Sequence, residues 1–149
     1  MLSNSIKLES RSSSTLKQKP NNQYYSLQFQ HSKKCLDIIF GSANGALTQQ
    51  FECNGYDNQL FRITWYDDGS LRLFAKHSGL ALDVPNPHNT NEIRIIQWEA
   101  NDFGNGDHQK WYLIPTDSGH FSLKSKWGKC MDVFAFNNHN GAKVSTWDW

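Results

Sequence analysis

The chain has 149 residues, enough for one domain that removes about two-thirds of its unfolded surface from water. Aromatic residues make up 13% and charged residues 19%, with 15 basic and 14 acidic side chains and a net charge of +1, so its polarity comes mainly from Asn, Ser and Gln. The aromatic share excludes a wholly disordered chain, and no basic surplus exists to neutralise a nucleic-acid backbone.

From the N-terminus, Arg11 to Gln23 contains one apolar residue in thirteen, so residues 1–23 read as a flexible tail and residues 24–149 as the folded domain. Met1 to Glu9 carries no apolar stretch of secretory type, and no run approaches the ~18 residues of a membrane span. The compartment stays open. From Tyr24 onward no window keeps a helical period. Tyr25-Ser26-Leu27-Gln28-Phe29, Leu71-Arg72-Leu73 and Phe121-Ser122-Leu123 alternate instead, as half-buried strands do. Asp67-Asp68-Gly69 and Asp117-Ser118-Gly119 read as turns, and Pro85 and Pro87 bracket a loop. The class is all-β.

The strands belong to an internal repeat. Cys35-Leu36-Asp37-Ile38 recurs as Ala81-Leu82-Asp83-Val84 and as Cys130-Met131-Asp132-Val133, with Asp spacings of 46 and 49. An aromatic follows each Asp, namely Phe51, Trp98 and Trp147, at +14, +15 and +15. An Asn stands seven residues before each aromatic: Asn44, Asn91 and Asn140. Downstream, Asn58-Gln59-Leu60-Phe61 matches His108-Gln109-Lys110-Trp111. Three units of about four strands predict a threefold barrel.

The first unit reads Cys35-Leu36-Asp37-Ile38, Asn44-Gly45-Ala46, Gln49-Gln50-Phe51-Glu52-Cys53 and Asn58-Gln59-Leu60-Phe61. This order resembles the ricin B-type lectins, whose repeats run Cys-Leu-Asp-Val, Asn-Gly-Ala, Gln-x-Trp-x-Cys and Asn-Gln-x-Trp. The resemblance covers about residues 24–149 and implies a β-trefoil with three repeats. Phe61 and Trp111 would fill the core, while Phe51, Trp98 and Trp147 would line sugar pockets. The third repeat lacks its last strand in sequence. Either the chain is a fragment, or Ser5-Ile6-Lys7-Leu8 closes the barrel, since Ile6-Lys7-Leu8 mimics Phe61-Arg62-Ile63.

A neutral sugar offers hydroxyls and a flat C–H face, so its recognition calls for an acceptor carboxylate, amides and an aromatic plate. In the implied first site, Asp37 accepts a hydroxyl pair and Phe51 stacks. Gln49 and Asn58 bond further hydroxyls, and Gln59 supports Asp37 or reaches the sugar. The second site keeps Asp83, Trp98 and Gln109 but has Ile96 for Gln49 and His108 for Asn58. The third keeps Asp132 and Trp147, with Ser145 at the Gln49 position and no Asn-Gln pair after it. A bland reading stands beside each: the Asp ties down a turn and the aromatic fills the core.

In the same frame Cys35 and Cys53 would form a disulfide around the first pocket, with Ala81 and Ala100 at the matching positions of the second repeat and Cys130 left as a free thiol. Two buried thiols are the alternative. The six histidines show no metal spacing, and no nucleophile-elbow or phosphate-loop motif occurs. No catalytic group, metal or cofactor is therefore expected. The expected partner is a glycan, on glycoprotein, glycolipid or polysaccharide and of galactose type or related, with no nucleic-acid partner and no membrane span. An oligomer, a tethered toxin or glycoside hydrolase domain, and a protein-binding trefoil remain open.

Overall fold

The computed structural model describes residues 5–10, 23–39, 41–101, 106–117 and 119–149. Its strands are β1 (Ile6–Ser10), β2 (Tyr25–Phe29), β3 (Cys35–Ile38), β4 (Thr48–Phe51), β5 (Phe61–Trp65), β6 (Leu71–Ala75), β7 (Ala81–Asp83), β8 (Ile96–Trp98), β9 (Trp111–Pro115), β10 (Phe121–Ser125), β11 (Lys129–Val133) and β12 (Val144–Asp148). Among the described residues, no helix is long and apolar enough to cross a membrane.

The strands follow from alternation. In β2, buried Leu27 and Phe29 flank the partly exposed Gln28, and in β10 buried Leu123 and Ser125 flank Lys124; Ser26 and Ser122 are buried as well. The Asp67–Ser70 turn between β5 and β6 works as its residues suggest. The Ser70 N–H donates to Asp68 Oδ1 at 2.9 Å, and Gly69 takes φ +86°. That bond and the Ser70 hydroxyl hold the Asp68 carboxyl below its usual range. In the turn expected at Asp117–Gly119, Ser118 lies outside the described residues.

Six strands close the barrel. The antiparallel pairs β1–β2, β5–β6 and β9–β10 are joined through Tyr25↔Phe61, Leu71↔Trp111 and Ile6↔Phe121. Phe61, Trp111 and Ile6 thus hold one position in three repeats, and all three are fully buried. Leu27, Leu73 and Leu123 form a second buried set. The hairpins β3–β4, β7–β8 and β11–β12 cap one end of the barrel. They meet near the pseudo-threefold axis through Leu47↔Ile96, Gln49↔Lys143 and Arg94↔Ser145. There Thr48 stands where its counterparts are Ile95 and Val144, and its buried hydroxyl donates to the Ile95 carbonyl at 2.7 Å. A polar side chain is tolerated on the axis because a backbone acceptor satisfies it.

Strand β1 corrects one expectation and answers another. Residues 5–10, placed in the tail by their polar surroundings, belong to the barrel. Of the two accounts of the last strand of the third repeat, the structure has closure by the N-terminal segment: β1 fills that position, pairing with β2 along its whole length and with β10 through Ile6↔Phe121. Two apolar residues, Ile6 and Leu8, are enough, since only one face of the strand meets the core. Residues 11–22 of the predicted tail lie outside the described residues.

Candidate functional site

Each cap hairpin presents an Asp and an aromatic on its outer face. In the first, Asp37 lies directly opposite Gln49, and Cys35 opposite Phe51. Because side chains alternate with period two, these four share one face while Leu36, Ile38 and Gln50 turn to the other. The 3-10 turn Asp57–Gln59 then returns the chain to Asp37. A hollow of about 470 Å3 results, lined by Asp37, Gln49, Phe51 and Asn58 together with Asn54 and Tyr56. His77, from the hairpin that follows β6, also borders it.

Asp37 is only 4% exposed. Gln49 Nε2 donates to its Oδ1 at 3.1 Å and Gln59 Nε2 to its Oδ2 at 2.9 Å. A carboxylate has about four acceptor sites, so each oxygen can still receive a further donor. Gln59 is itself buried and fully engaged. It also donates to the Glu52 carbonyl at 3.0 Å and accepts from the Asn54 N–H at 2.9 Å. Of the two roles foreseen for Gln59, its geometry is that of the support beneath Asp37. Asn58 Nδ2 donates to the Ile38 carbonyl at 3.0 Å, which orients its amide oxygen as an acceptor. The Cys35–Cys53 disulfide ties the rim loop to β3, whereas Cys130 is a buried free thiol whose pKa burial pushes up to about 12.

The second hairpin repeats the support. Asp83 faces Ile96, and Ala81 faces Trp98. Gln109 donates to Asp83 Oδ2 at 3.0 Å and to the Glu99 carbonyl at 2.9 Å. His108 Nε2 lies 3.4 Å from the same Asp83 oxygen, on the side Asn58 occupies in the first site. Beyond it His88 stacks on His108 at 5.6 Å and on Trp127 at 4.5 Å, forming an aromatic wall. Burial raises the Asp83 pKa, against the lowering effects of Gln109, His108 and His88.

The third hairpin sets Asp132 opposite Ser145 and Cys130 opposite Trp147. Its aromatic is 41% exposed, close to the 42% of Trp98. No Asn-Gln pair follows β12 in the sequence.

Several residues that shape the sites carried no assigned role in the sequence reading. Asn44 and Asn140, noted for their spacing, accept the backbone N–H of Glu99 and Glu52 at 2.8 Å, each reaching from one repeat into another. Asn91 also reaches into the next repeat, but there its amide Nδ2 donates to Asp148 Oδ2 at 3.1 Å. Gln50 and Gln97 are buried beneath the sites, where they bond carbonyls of the neighbouring rim loops, Gln50 those of Asn137 and His139 and Gln97 that of Ala43. Tyr56, His77, His88 and Trp127 are also new. For His77 and Trp127 no local signal exists, because each comes to its site from the following repeat.

The sequence profile described as the ricin-type beta-trefoil lectin domain-like family matches residues 14–98. The chain belongs to this family. As a ricin-type β-trefoil, it is a carbohydrate-binding module by kinship. It resembles the designed threefold-symmetric protein ThreeFoil at 34% identity with a TM-score of 0.79, over 85% of this chain and 89% of that one. An exo-β-1,3-galactanase of Clostridium thermocellum, 1,3Gal43A, is 25% identical with a TM-score of 0.78, over 85% of this chain and 27% of that one. A β-agarase of Agarivorans albus, AgaB34, is 40% identical over 63 residues, which are 41% of this chain. That match spans only 14% of the agarase.

Proposed function

We propose that this ricin-type domain binds galactose-type glycans through the Asp37 hollow, without a metal or cofactor and without breaking a bond. One observation carries the reading: a buried, doubly supported carboxylate with spare acceptor capacity shares a hollow with a half-buried aromatic ring, Phe51. Asp37 receives two adjacent hydroxyls as charge-assisted hydrogen bonds. Phe51 stacks on the C–H face, and Gln49 and Asn58 bond the remaining hydroxyls. Asp83 with Trp98 and His108, supported by Gln109, forms a second site, and Asp132 with Trp147 a third, less equipped one. Several weak sites on one module bind a multivalent surface far more tightly than any one alone. The kinship with proteins named for agar and for β-1,3-galactan supports a galactose-type ligand.

The test is a glycan array probed with the wild type, Asp37→Asn and Phe51→Ala. Galactosides are expected to bind the wild type and to be weakened at least about tenfold by either substitution, the scale of a lost charged hydrogen bond or aromatic contact. A wild type that captures no glycan would defeat the reading. Unchanged binding by both variants would remove Asp37 and Phe51 from the site.

A second reading is favoured by the length of the relatives, since the domain corresponds to 27% of the galactanase chain and 14% of the agarase. In that reading the domain holds a polysaccharide-degrading enzyme on its substrate. Retention of the isolated domain on insoluble agar or β-1,3-galactan, released by soluble galactan, is the expected result; passage without delay would count against it.

A further inference from the structure

We infer that the first hollow takes two contiguous pyranose units and that Tyr56 is the plate for the second one. This rests on the reading just proposed for Asp37 and Phe51 and adds the size of the ligand to it. Hollows of about 300–1,000 Å3 hold ligands larger than one sugar ring. This one, at about 470 Å3, falls in that range. The β3–β4 hairpin and the 3-10 turn supply Asp37, Gln49, Phe51 and Asn58, the set one sugar ring uses. The rim loop supplies Asn54 and Tyr56, and the start of the 3-10 turn supplies Asp57, which that ring does not use; His77 borders the hollow from the next hairpin.

Tyr56 is 70% exposed, the most exposed of the large apolar side chains. Among the described residues its phenol makes no hydrogen bond and its ring packs on no other ring. Exposure alone would be unremarkable on a mobile loop. Here the backbone beneath the ring is fixed on both sides. The Tyr56 N–H donates to Asn54 Oδ1 at 3.0 Å, and the Tyr56 carbonyl accepts from the Gln59 N–H at 2.9 Å. Gln59 Oε1 holds the Asn54 N–H, and Cys53, one residue earlier, is bonded to Cys35. An aromatic with only two side-chain torsions, carried on a clamped loop at the edge of a polar hollow, loses little entropy when a sugar stacks on it. Asn54 and Asp57 flank it with amide and carboxylate groups for that second ring's hydroxyls. Asp57 also lies 3.4 Å from Lys76, which holds its side chain beside the hollow.

The experiment uses the full chain carrying Trp98→Ala and Trp147→Ala, so that binding reports the first hollow. Methyl β-galactoside and β-1,3-galactobiose are titrated calorimetrically against this protein and against the same protein with Tyr56→Ala or Tyr56→Phe. The disaccharide is expected to bind about three- to tenfold more tightly than the monosaccharide, the scale of one added stacking contact. Tyr56→Ala removes most of that gain and leaves the monosaccharide within about twofold, while Tyr56→Phe keeps the gain. Equal affinities for the two ligands, or a Tyr56→Ala loss shared by both, would overturn the second subsite and leave the Asp37 site standing. If neither ligand binds, the galactose-type reading falls and this inference with it. An unchanged melting temperature for Tyr56→Ala separates lost binding from lost folding.

Discussion

Replacing Gln59 by Leu keeps nearly the same volume and deletes three hydrogen bonds at once. The side chain is 1% exposed, so water cannot replace its groups. The change leaves the Asn54 N–H and the Glu52 carbonyl without their partner and takes one of two amide donors from the 4%-exposed Asp37 carboxylate. The lost bond to Asp37 is buried and costs about 1–3 kcal/mol, whereas Glu52 and Asn54 are exposed rim residues whose backbone groups water can partly satisfy, so a total loss of about 2–3 kcal/mol is expected. For a domain of this size each kcal/mol moves Tm by roughly 3–4 °C, which places the variant roughly 6–12 °C below the wild type. Urea and thermal unfolding followed by tryptophan fluorescence measure both quantities. Gln49→Ala is the control. It removes one bond to the same carboxylate from a half-buried position, so a loss of less than about 1 kcal/mol is expected. If Gln59→Leu also loses less than 1 kcal/mol, the amide is not the support of Asp37, and the separation of a binding layer from a supporting layer is wrong.

Other outcomes follow from the same geometry. Ile6→Ala should cost about 2–5 kcal/mol, as for other fully buried aliphatic residues, and should raise amide exchange along both β1 and β2; a neutral result would mean that β1 does not close the barrel. Reducing the Cys35–Cys53 bond, which spans 18 residues, should lower stability by about 3 kcal/mol in a denaturant titration with and without reductant, and coincident curves would contradict this. The second site should be acid-sensitive. Burial holds Asp83 above its ordinary value, so its acceptor carboxylate is lost once pH falls through that raised pKa, at a higher pH than for an ordinary aspartate. The stability term has the opposite sign from binding. The folded state keeps the proton more tightly than the unfolded chain, so ionised Asp83 costs stability above its pKa, and the cost is relieved as pH falls. Binding by a Phe51→Ala, Trp147→Ala protein, measured from pH 7 to pH 4, should decline on acidification; a flat profile would show that Asp83 does not contact the ligand.

The repeat carried most of what could be read without coordinates. Asp37, Gln49 and Phe51 were legible as a group because the repeat resembles that of the ricin B-type lectins, and strand alternation then puts them on one face. The resemblance likewise implied Phe61 and Trp111 as core residues, and both are fully buried. Asp83 and Asp132 were found by the same recurrence. The sequence was less able to divide Gln59 and Gln109 between binding and support, because either role suits an amide near a carboxylate. Their burial and their two backbone bonds distinguish the roles.

Tertiary structure decided the rest, and the reason is distance along the chain. Closure by β1 joins Ile6 to Phe121; the Ile6-Lys7-Leu8 alternation offered a closing strand, but only the pairing of two segments far apart in the chain decided between closure and a missing strand. His77 borders the Asp37 hollow, and Trp127 joins the histidine stack beside Asp83, only because each repeat lays its next hairpin against the preceding site. Asn44 and Asn140 were visible as a spacing, yet what they do is hold the backbone of a different repeat. Periodicity therefore specifies a threefold all-β chain, and the family resemblance implies an Asp and an aromatic for each repeat. How the barrel closes, and which neighbours complete each pocket, is set by contacts between repeats, where no one repeat contains both partners.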